Sequence, residues 1–345
     1  MRHTLILIVM CMVLIAGCND SDNQNNSSTF SVGEIGVSNG QPASAMQNYL
    51  DAIPYTSMES IGLTDGSNIS ALRSTVVADP VNDITVSLSG REILVRQVEP
   101  SSGTGPFNTV IYFHGGGFAV GSIHNNSISQ QLADALGAKV FAVEYRLAPE
   151  NKFPAGINDA KDITDWIVAN ADSYNARTSG IVLAGDSSGA TFSIVTSIQK
   201  RDEGNSPIAG VVAFYPAVDF RSNSKSGGSW SDYASYKTLL TSDHEWFTSL
   251  YLSSSSQQID PLVSPVLTSS LSGLPPHLVI TAELDILRDE GEDFCRALNG
   301  EGVTVSCYRH NGMAHGYLSY SDVQVPYWNE AYSVLTQNKS LFWTQ

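Results

Sequence analysis

Positive charge is scarce in this chain. Lysine and arginine total 18 against 34 aspartates and glutamates, a formal net charge of −16. A protein that binds nucleic acid by displacing counterions needs a basic face, so nucleic acid is not expected as a partner. Charge of either sign is also sparse, at 15% of residues, while 42% are hydrophobic, which is the balance of a folded globular protein and not of a disordered one. The acidity reads as a contribution to solubility. Cysteine is nearly absent too, with four in 345 residues, and Cys11 and Cys18 lie in the first eighteen. Neither their number nor their spacing makes a metal site. Cys295 and Cys307 fall on a predicted helix and the next predicted strand, and are read either as a disulfide or as two buried thiols. No lysine of the phosphate-loop kind and no dinucleotide-binding spacing accompanies the glycine clusters, so no cofactor is expected. Long apolar runs are missing as well. Leu5 to Ile15 spans only about eleven residues, too few to cross a bilayer but suited to the core of a signal peptide.

That run follows a basic start, Arg2 and His3, and ends in Ile15-Ala16-Gly17-Cys18. Small residues before a cysteine resemble the bacterial lipobox. The resemblance implies cleavage after Gly17, lipidation of Cys18, and an exported protein lipid-anchored to a bacterial cell membrane. The alternative is an ordinary secretory signal. Residues 1–18 are therefore read as a lipoprotein signal peptide. Residues 19–40, polar at once from Asn19 to Ser28, are read as a flexible tether. Export would permit a disulfide.

Pro42 to Ile61 carries an intermittent helical pattern through Met46, Tyr49, Leu50 and Ile53. Strands and helices then alternate. Strands are predicted at 84–88, 93–98, 109–113, 139–145, 180–184, 208–214, 277–281 and 303–308. Helices are predicted at 127–136, 157–169, 188–200, 289–298 and 327–336. This rhythm predicts an α/β fold with a mostly parallel central sheet covered by helices on both faces. Runs such as Ile181-Val182-Leu183 suit strands buried on both sides. Asp219 to Gln258 breaks the rhythm and holds Trp230, Tyr233, Tyr236, Trp246 and Tyr251. It is read as a lid over a site or as a helical excursion with its own small core.

Three local patterns carry chemistry. Gly185-Asp186-Ser187-Ser188-Gly189 follows a predicted strand and opens a predicted helix. A serine on so sharp a turn needs glycine two positions to either side, and the turn raises its hydroxyl above the sheet edge. His114-Gly115-Gly116-Gly117-Phe118 also follows a strand, and its glycines allow backbone N–H groups to converge on an oxyanion. His114 itself is read as shaping that loop. Late in the chain, Asp285 ends a strand and His315 stands in a glycine-bearing loop after the last one. A serine hydroxyl needs an imidazole to take its proton and a carboxylate to orient that imidazole. The rival carboxylates are Glu283, Asp289 and Glu290, and the rival histidines are His124, His244, His277 and His310; Asp285 and His315 are better placed than any of them.

Taken with Glu144-Tyr145-Arg146-Leu147-Ala148-Pro149-Glu150, Tyr215-Pro216 and Arg288-Asp289-Glu290-Gly291, these motifs make the stretch from Asp83 to Thr344 closely resemble the hormone-sensitive-lipase-like esterases of the α/β-hydrolase fold. The resemblance implies Ser187, Asp285 and His315 as a catalytic triad, and the N–H groups of Gly115, Gly116 and Ser188 as an oxyanion hole. It also implies a helical cap. The chain then divides into an N-terminal cap region (41–82), a catalytic domain in two parts (83–218 and 259–345) and a cap insertion (219–258). Ile286 stands where the family usually has proline, and Ser188 where it usually has alanine; neither departure touches the triad. The Arg146 segment is read as a structural turn. The implied activity is hydrolysis of small esters with short to medium acyl groups. Acetylesterase, amidase or lactonase action, or a non-catalytic tethered binding protein, are the alternatives.

Overall fold

The computed structural model describes residues 30–36, 40, 42–52, 69, 73, 79, 81–125, 127–204, 206–319 and 324–343. The expected signal peptide, Cys18 and the polar tract after it lie outside them, as does most of the region read as an N-terminal cap. The strands are β1 (Gly33–Ile35), β2 (Asp83–Leu88), β3 (Arg91–Val98), β4 (Asn108–Phe113), β5 (Ala138–Glu144), β6 (Ile181–Asp186), β7 (Ile208–Phe214), β8 (His277–Leu284) and β9 (Val305–Ala314). Among the described residues they form one nine-stranded sheet in the order β1-β9-β8-β7-β6-β4-β5-β3-β2. β3 is antiparallel to both its neighbours, and every other pairing is parallel.

The parallel strands are apolar on both faces because both faces are covered. Successive side chains of a strand point to opposite sides of the sheet. Val110, Tyr112, Val182 and Ala184 pack on one side with α1 (Ser44–Ala52), α2 (Ile128–Leu136) and α8 (Gln324–Asn338). Ile111, Phe113, Ile181 and Leu183 pack on the other with α3 (Ala155–Asn170) and α4 (Ser188–Glu203). This is the fold the alternating pattern predicts. The chain order reverses at β4, which has β5 on one side and β6 on the other. Crevices outside the carboxyl ends of strands at such a reversal are the usual ligand sites of open parallel sheets. Both glycine motifs end there, since Phe113 of β4 stands in register with Gly185 of β6.

Two boundaries differ from the sequence reading. The expected tether extends to residue 40, yet Gly33–Ile35 pairs with β9 and the Asn311 amide donates to the Gly36 carbonyl at 3.2 Å. An edge strand of this length is held by backbone bonds, which leave no side-chain pattern; only Ile35 is buried. The last strand is predicted at 303–308 and instead runs to Ala314, directly before His315. Its later residues include Asn311 and Gly312, which weaken a strand pattern but are tolerated in an interior strand whose partners are already set.

α7 (Arg288–Gly300) covers β8 and β9, and here Cys295 and Cys307 form a disulfide with Cα atoms 6.3 Å apart. Both residues are buried. The bridge spans 12 positions, and closing so short a loop in the unfolded chain is worth about 3 kcal/mol. Replacing both cysteines by alanine is expected to lower unfolding stability by that amount under oxidising conditions. Urea denaturation with and without reductant checks this, because the reductant should destabilise the parent protein and leave the variant unchanged.

Candidate active site

Ser187 sits between β6 and α4 with φ 53° and ψ −122°. Positive φ is strained for a serine, and it persists only where the surroundings over-determine it. Here the Ser187 N–H donates to the Phe214 carbonyl at 2.9 Å. The turn also passes through gaps that admit no side chain. A Cβ on Gly185 would lie 2.3 Å from Gly189, and one on Gly189 would lie 2.0 Å from the Phe113 carbonyl oxygen.

The structure brings Ser187, His315 and Asp285 together. Ser187 Oγ lies 2.9 Å from His315 Nε2, and His315 Nδ1 lies 2.7 Å from Asp285 Oδ2. The other Asp285 oxygen accepts from the Leu287 N–H at 3.0 Å. Asp285 follows β8 and His315 follows β9, neighbouring strands in the sheet. Both residues are buried, and Tyr215 packs edge-on against the imidazole at 5.1 Å between ring centroids.

All three rival carboxylates and two of the rival histidines are engaged elsewhere, while His244 lines the same cavity as the triad without a hydrogen bond to it. Glu283 accepts the N–H groups of Gly40 and Gly312. Asp289 accepts from the Ser229 N–H and from Arg288. Glu290 accepts from the N–H groups of Val218 and Asp219, from Trp230 Nε1 and from Lys225. That carboxylate, in the first turn of α7, ties down the start of the 219–258 insertion. His277 contacts the Pro275 carbonyl, and His310 lies between Tyr317 and Glu330. His114 shapes the glycine loop as expected: its ring stacks on Tyr145 at 4.3 Å, and the Tyr145 hydroxyl donates to its carbonyl at 2.7 Å. Arg146 and Glu144 anchor separate partners. Arg146 binds the buried Asp159 of α3, while Glu144 accepts from the Ile123 N–H beside the loop.

The oxyanion donors expected from the sequence need one correction. The Gly115 N–H donates to Asp186 Oδ1 at 2.8 Å and is not available to a ligand oxygen. The N–H groups of Gly116, Gly117 and Ser188 have no partner among the described residues. Asp186, inside the serine motif, is thus the side chain that ties the glycine loop to the serine turn, a contact no sequence pattern marks. Its Oδ1 also accepts from the Tyr112 hydroxyl at 2.5 Å. Burial pushes its carboxyl above the usual range, against the pull of these two donors.

These groups open into a cavity of about 360 Å³, near the small end of ligand sites, which run from roughly 300 to 1,000 Å³. The insertion supplies part of its wall through Leu239, His244, Phe247 and Thr248. Phe247 lies so close to Gly117 that a Cβ there would fall 2.4 Å from its ring. The insertion also joins the core through Trp230 and through Tyr251, whose ring stacks on Phe118 at 3.8 Å. The segment thus lines the cavity and packs into the main core, with no separate core of its own among the described residues. Its helices are α5 (Gly228–Asp232) and α6 (Thr241–Tyr251).

A family profile described as alpha/beta hydrolase fold matches residues 110–319. A carboxylic ester hydrolase of Mycobacterium tuberculosis, LipN, is 34% identical over 249 residues, which are 69% of this chain and 64% of that protein. The match thus spans less than two thirds of the mycobacterial relative. An arylesterase of Saccharolobus solfataricus is 32% identical over 251 residues, 72% of this chain and 81% of the relative. Among solved structures, a thermostable esterase from Pseudomonas putida superposes with a TM-score of 0.77 at 27% identity, over 90% of this chain and all of its own.

Asp186 links the glycine loop to the serine turn, so its loss should loosen both. Asp186→Ala is expected to lower the turnover of a sensitive ester by about 100-fold, the loss typical of one misplaced oxyanion donor. Asp186→Asn keeps an acceptor for Gly115 and Tyr112 and should lose far less. Steady-state kinetics on both variants, with thermal unfolding to exclude gross misfolding, check the pair.

Proposed function

Because the chain belongs to the hormone-sensitive-lipase-like branch of the α/β-hydrolase fold family, we propose that it is a serine carboxylesterase that hydrolyses esters of short- to medium-chain acyl groups. The observation that carries this is the continuous line of contacts from Ser187 Oγ to His315 Nε2 and from His315 Nδ1 to Asp285. Ser187 attacks the ester carbonyl while His315 takes its proton. Asp285 holds the ring in the required tautomer and stabilises the imidazolium. The carbonyl oxygen, now negative, is held by the N–H groups of Gly116, Gly117 and Ser188 at the start of α4, where the helix dipole adds a favourable field. Collapse of the tetrahedral intermediate releases the alcohol, which takes its proton from His315. A water then gives its proton to His315 and attacks the acyl-enzyme, and the carboxylic acid departs with Ser187 restored. No step requires a metal or an organic cofactor.

The size and lining of the cavity favour small acyl groups. Its walls are mainly apolar, with Val120, Ala217, Phe220, Leu239, Phe247 and Leu287. We further propose that the protein is exported and held at a bacterial membrane through a lipid on Cys18, on the strength of Ile15-Ala16-Gly17-Cys18 and the polar tract after it.

Hydrolysis of p-nitrophenyl esters from acetate to palmitate tests the activity. Turnover should be greatest at two to eight carbons, roughly the span a cavity of this class admits, and Ser187→Ala should abolish both turnover and labelling by a fluorophosphonate. Flat activity up to palmitate, or labelling that survives the substitution, would refute the reading. For the anchor, Cys18→Ala should move the protein from the membrane to the soluble fraction of fractionated cells; unchanged partitioning would refute it.

A further inference from the structure

A second cavity, of about 380 Å³, abuts the catalytic one. Phe220, His244 and Thr248 line both. Beyond this shared wall the lining adds polar side chains, among them Ser222, Lys225, Glu245 and Gln258. His244 is the anomalous group in the wall. Its ring stacks on Phe220 at 5.3 Å and meets Trp230 edge-on at 5.0 Å. It is 7% exposed. Neither ring nitrogen has a hydrogen-bond partner among the described residues, and Nε2 is sealed from solvent.

Buried polar side chains are nearly always partnered, and an exception calls for a physical reason. Phenylalanine would fill the same aromatic cage without leaving a nitrogen unsatisfied. Burial first, and then the nearby Lys225 ammonium and His315, push the His244 pKa well below the ordinary histidine value. The ring is therefore neutral at neutral pH, with one nitrogen donating and the other accepting. Since Nε2 is sealed, Nδ1 is the nitrogen left to meet a ligand.

We propose that His244 determines specificity by offering Nδ1 to a hydroxyl or carbonyl group of the substrate at the boundary of the two cavities. The preferred substrates are then esters that carry such a polar group near the scissile bond, in place of plain alkyl esters. This rests on the ester-hydrolase reading above. A site built to hydrogen-bond a polar group discriminates strongly against the analogue that lacks it, because the protein group is then left unpaired.

Two matched pairs of esters test it in the full-length protein. p-Nitrophenyl butanoate against p-nitrophenyl 3-hydroxybutanoate places the polar group on the acyl side. Butyl acetate against 3-hydroxybutyl acetate places it on the alcohol side. The unaltered protein should favour the hydroxylated member of one pair by about tenfold in kcat/KM, and the pair concerned identifies the half of the ester that meets His244. His244→Phe should erase that preference, and His244→Gln, which keeps a donor and an acceptor, should retain part of it. No preference in either pair overturns the proposal without reference to any variant, and so does a preference that survives His244→Phe. Turnover of none of the four esters overturns the ester-hydrolase reading, and this inference with it.

Discussion

The close approach of two turns, the one after β4 and the one after β6, is the constraint on which the rest of this site depends. Neighbouring strands lie about 4.8 Å apart, so two loops leaving their ends can share space only if side chains are missing. At Gly115 a Cβ would fall 2.4 Å from Asp186 Oδ2, and at Gly189 it would strike the β4 backbone. With those side chains absent, the Asp186 carboxylate reaches across to the Gly115 N–H and the Tyr112 hydroxyl. One buried group then fixes the glycine loop relative to the serine. The strained backbone of Ser187 is tolerated because β7, through the Phe214 carbonyl, and α4 hold it from either side.

The remaining partners arrive by a different route. Asp285 and His315 come from strand ends farther along the sheet, and their positions follow from the length of β8 and β9. Carrying β9 to Ala314 sets His315 at the rim, where Tyr215 and Asp285 restrict its ring. The insertion closes over this rim and is itself secured by Glu290, a buried carboxylate that gathers two N–H groups, an indole and the Lys225 ammonium. Lys225 also lies over the Trp230 ring at 3.9 Å. A charge gathered in this way costs less to bury than an isolated one, because each donor replaces part of its lost hydration. His244 of the cavity wall meets Trp230 edge-on, so that wall connects to α7 through the indole that Glu290 holds.

Much of this was legible in the residues. Strand and helix alternate because the β-branched runs and the amphipathic runs have different periods, and the glycine-flanked serine can occupy few other turns. Asp285, His315 and Ser187 could be chosen over their rivals from their positions at strand ends alone. The short strand at Gly33–Ile35 was not legible, since an edge pairing through backbone groups makes no demand on composition. The role of Asp186 was hidden for a related reason: its partner at Gly115 is an N–H, which every residue but proline carries.

Local chemistry along the chain was enough to establish the fold class, the scarcity of positive charge, the strand–turn–helix around Ser187 and the three side chains that the fold brings together there. Folding in three dimensions was needed to choose among groups that are chemically alike. Among the described residues it assigned the Gly115 N–H to Asp186 and left those of Gly116, Gly117 and Ser188 free. It joined Cys295 to Cys307 and set His244 between two cavities with no partner among those residues. Periodicity and turn chemistry are written residue by residue, whereas the occupancy of a hydrogen bond or the lining of a cavity depends on which distant segments meet, and no single segment carries that information.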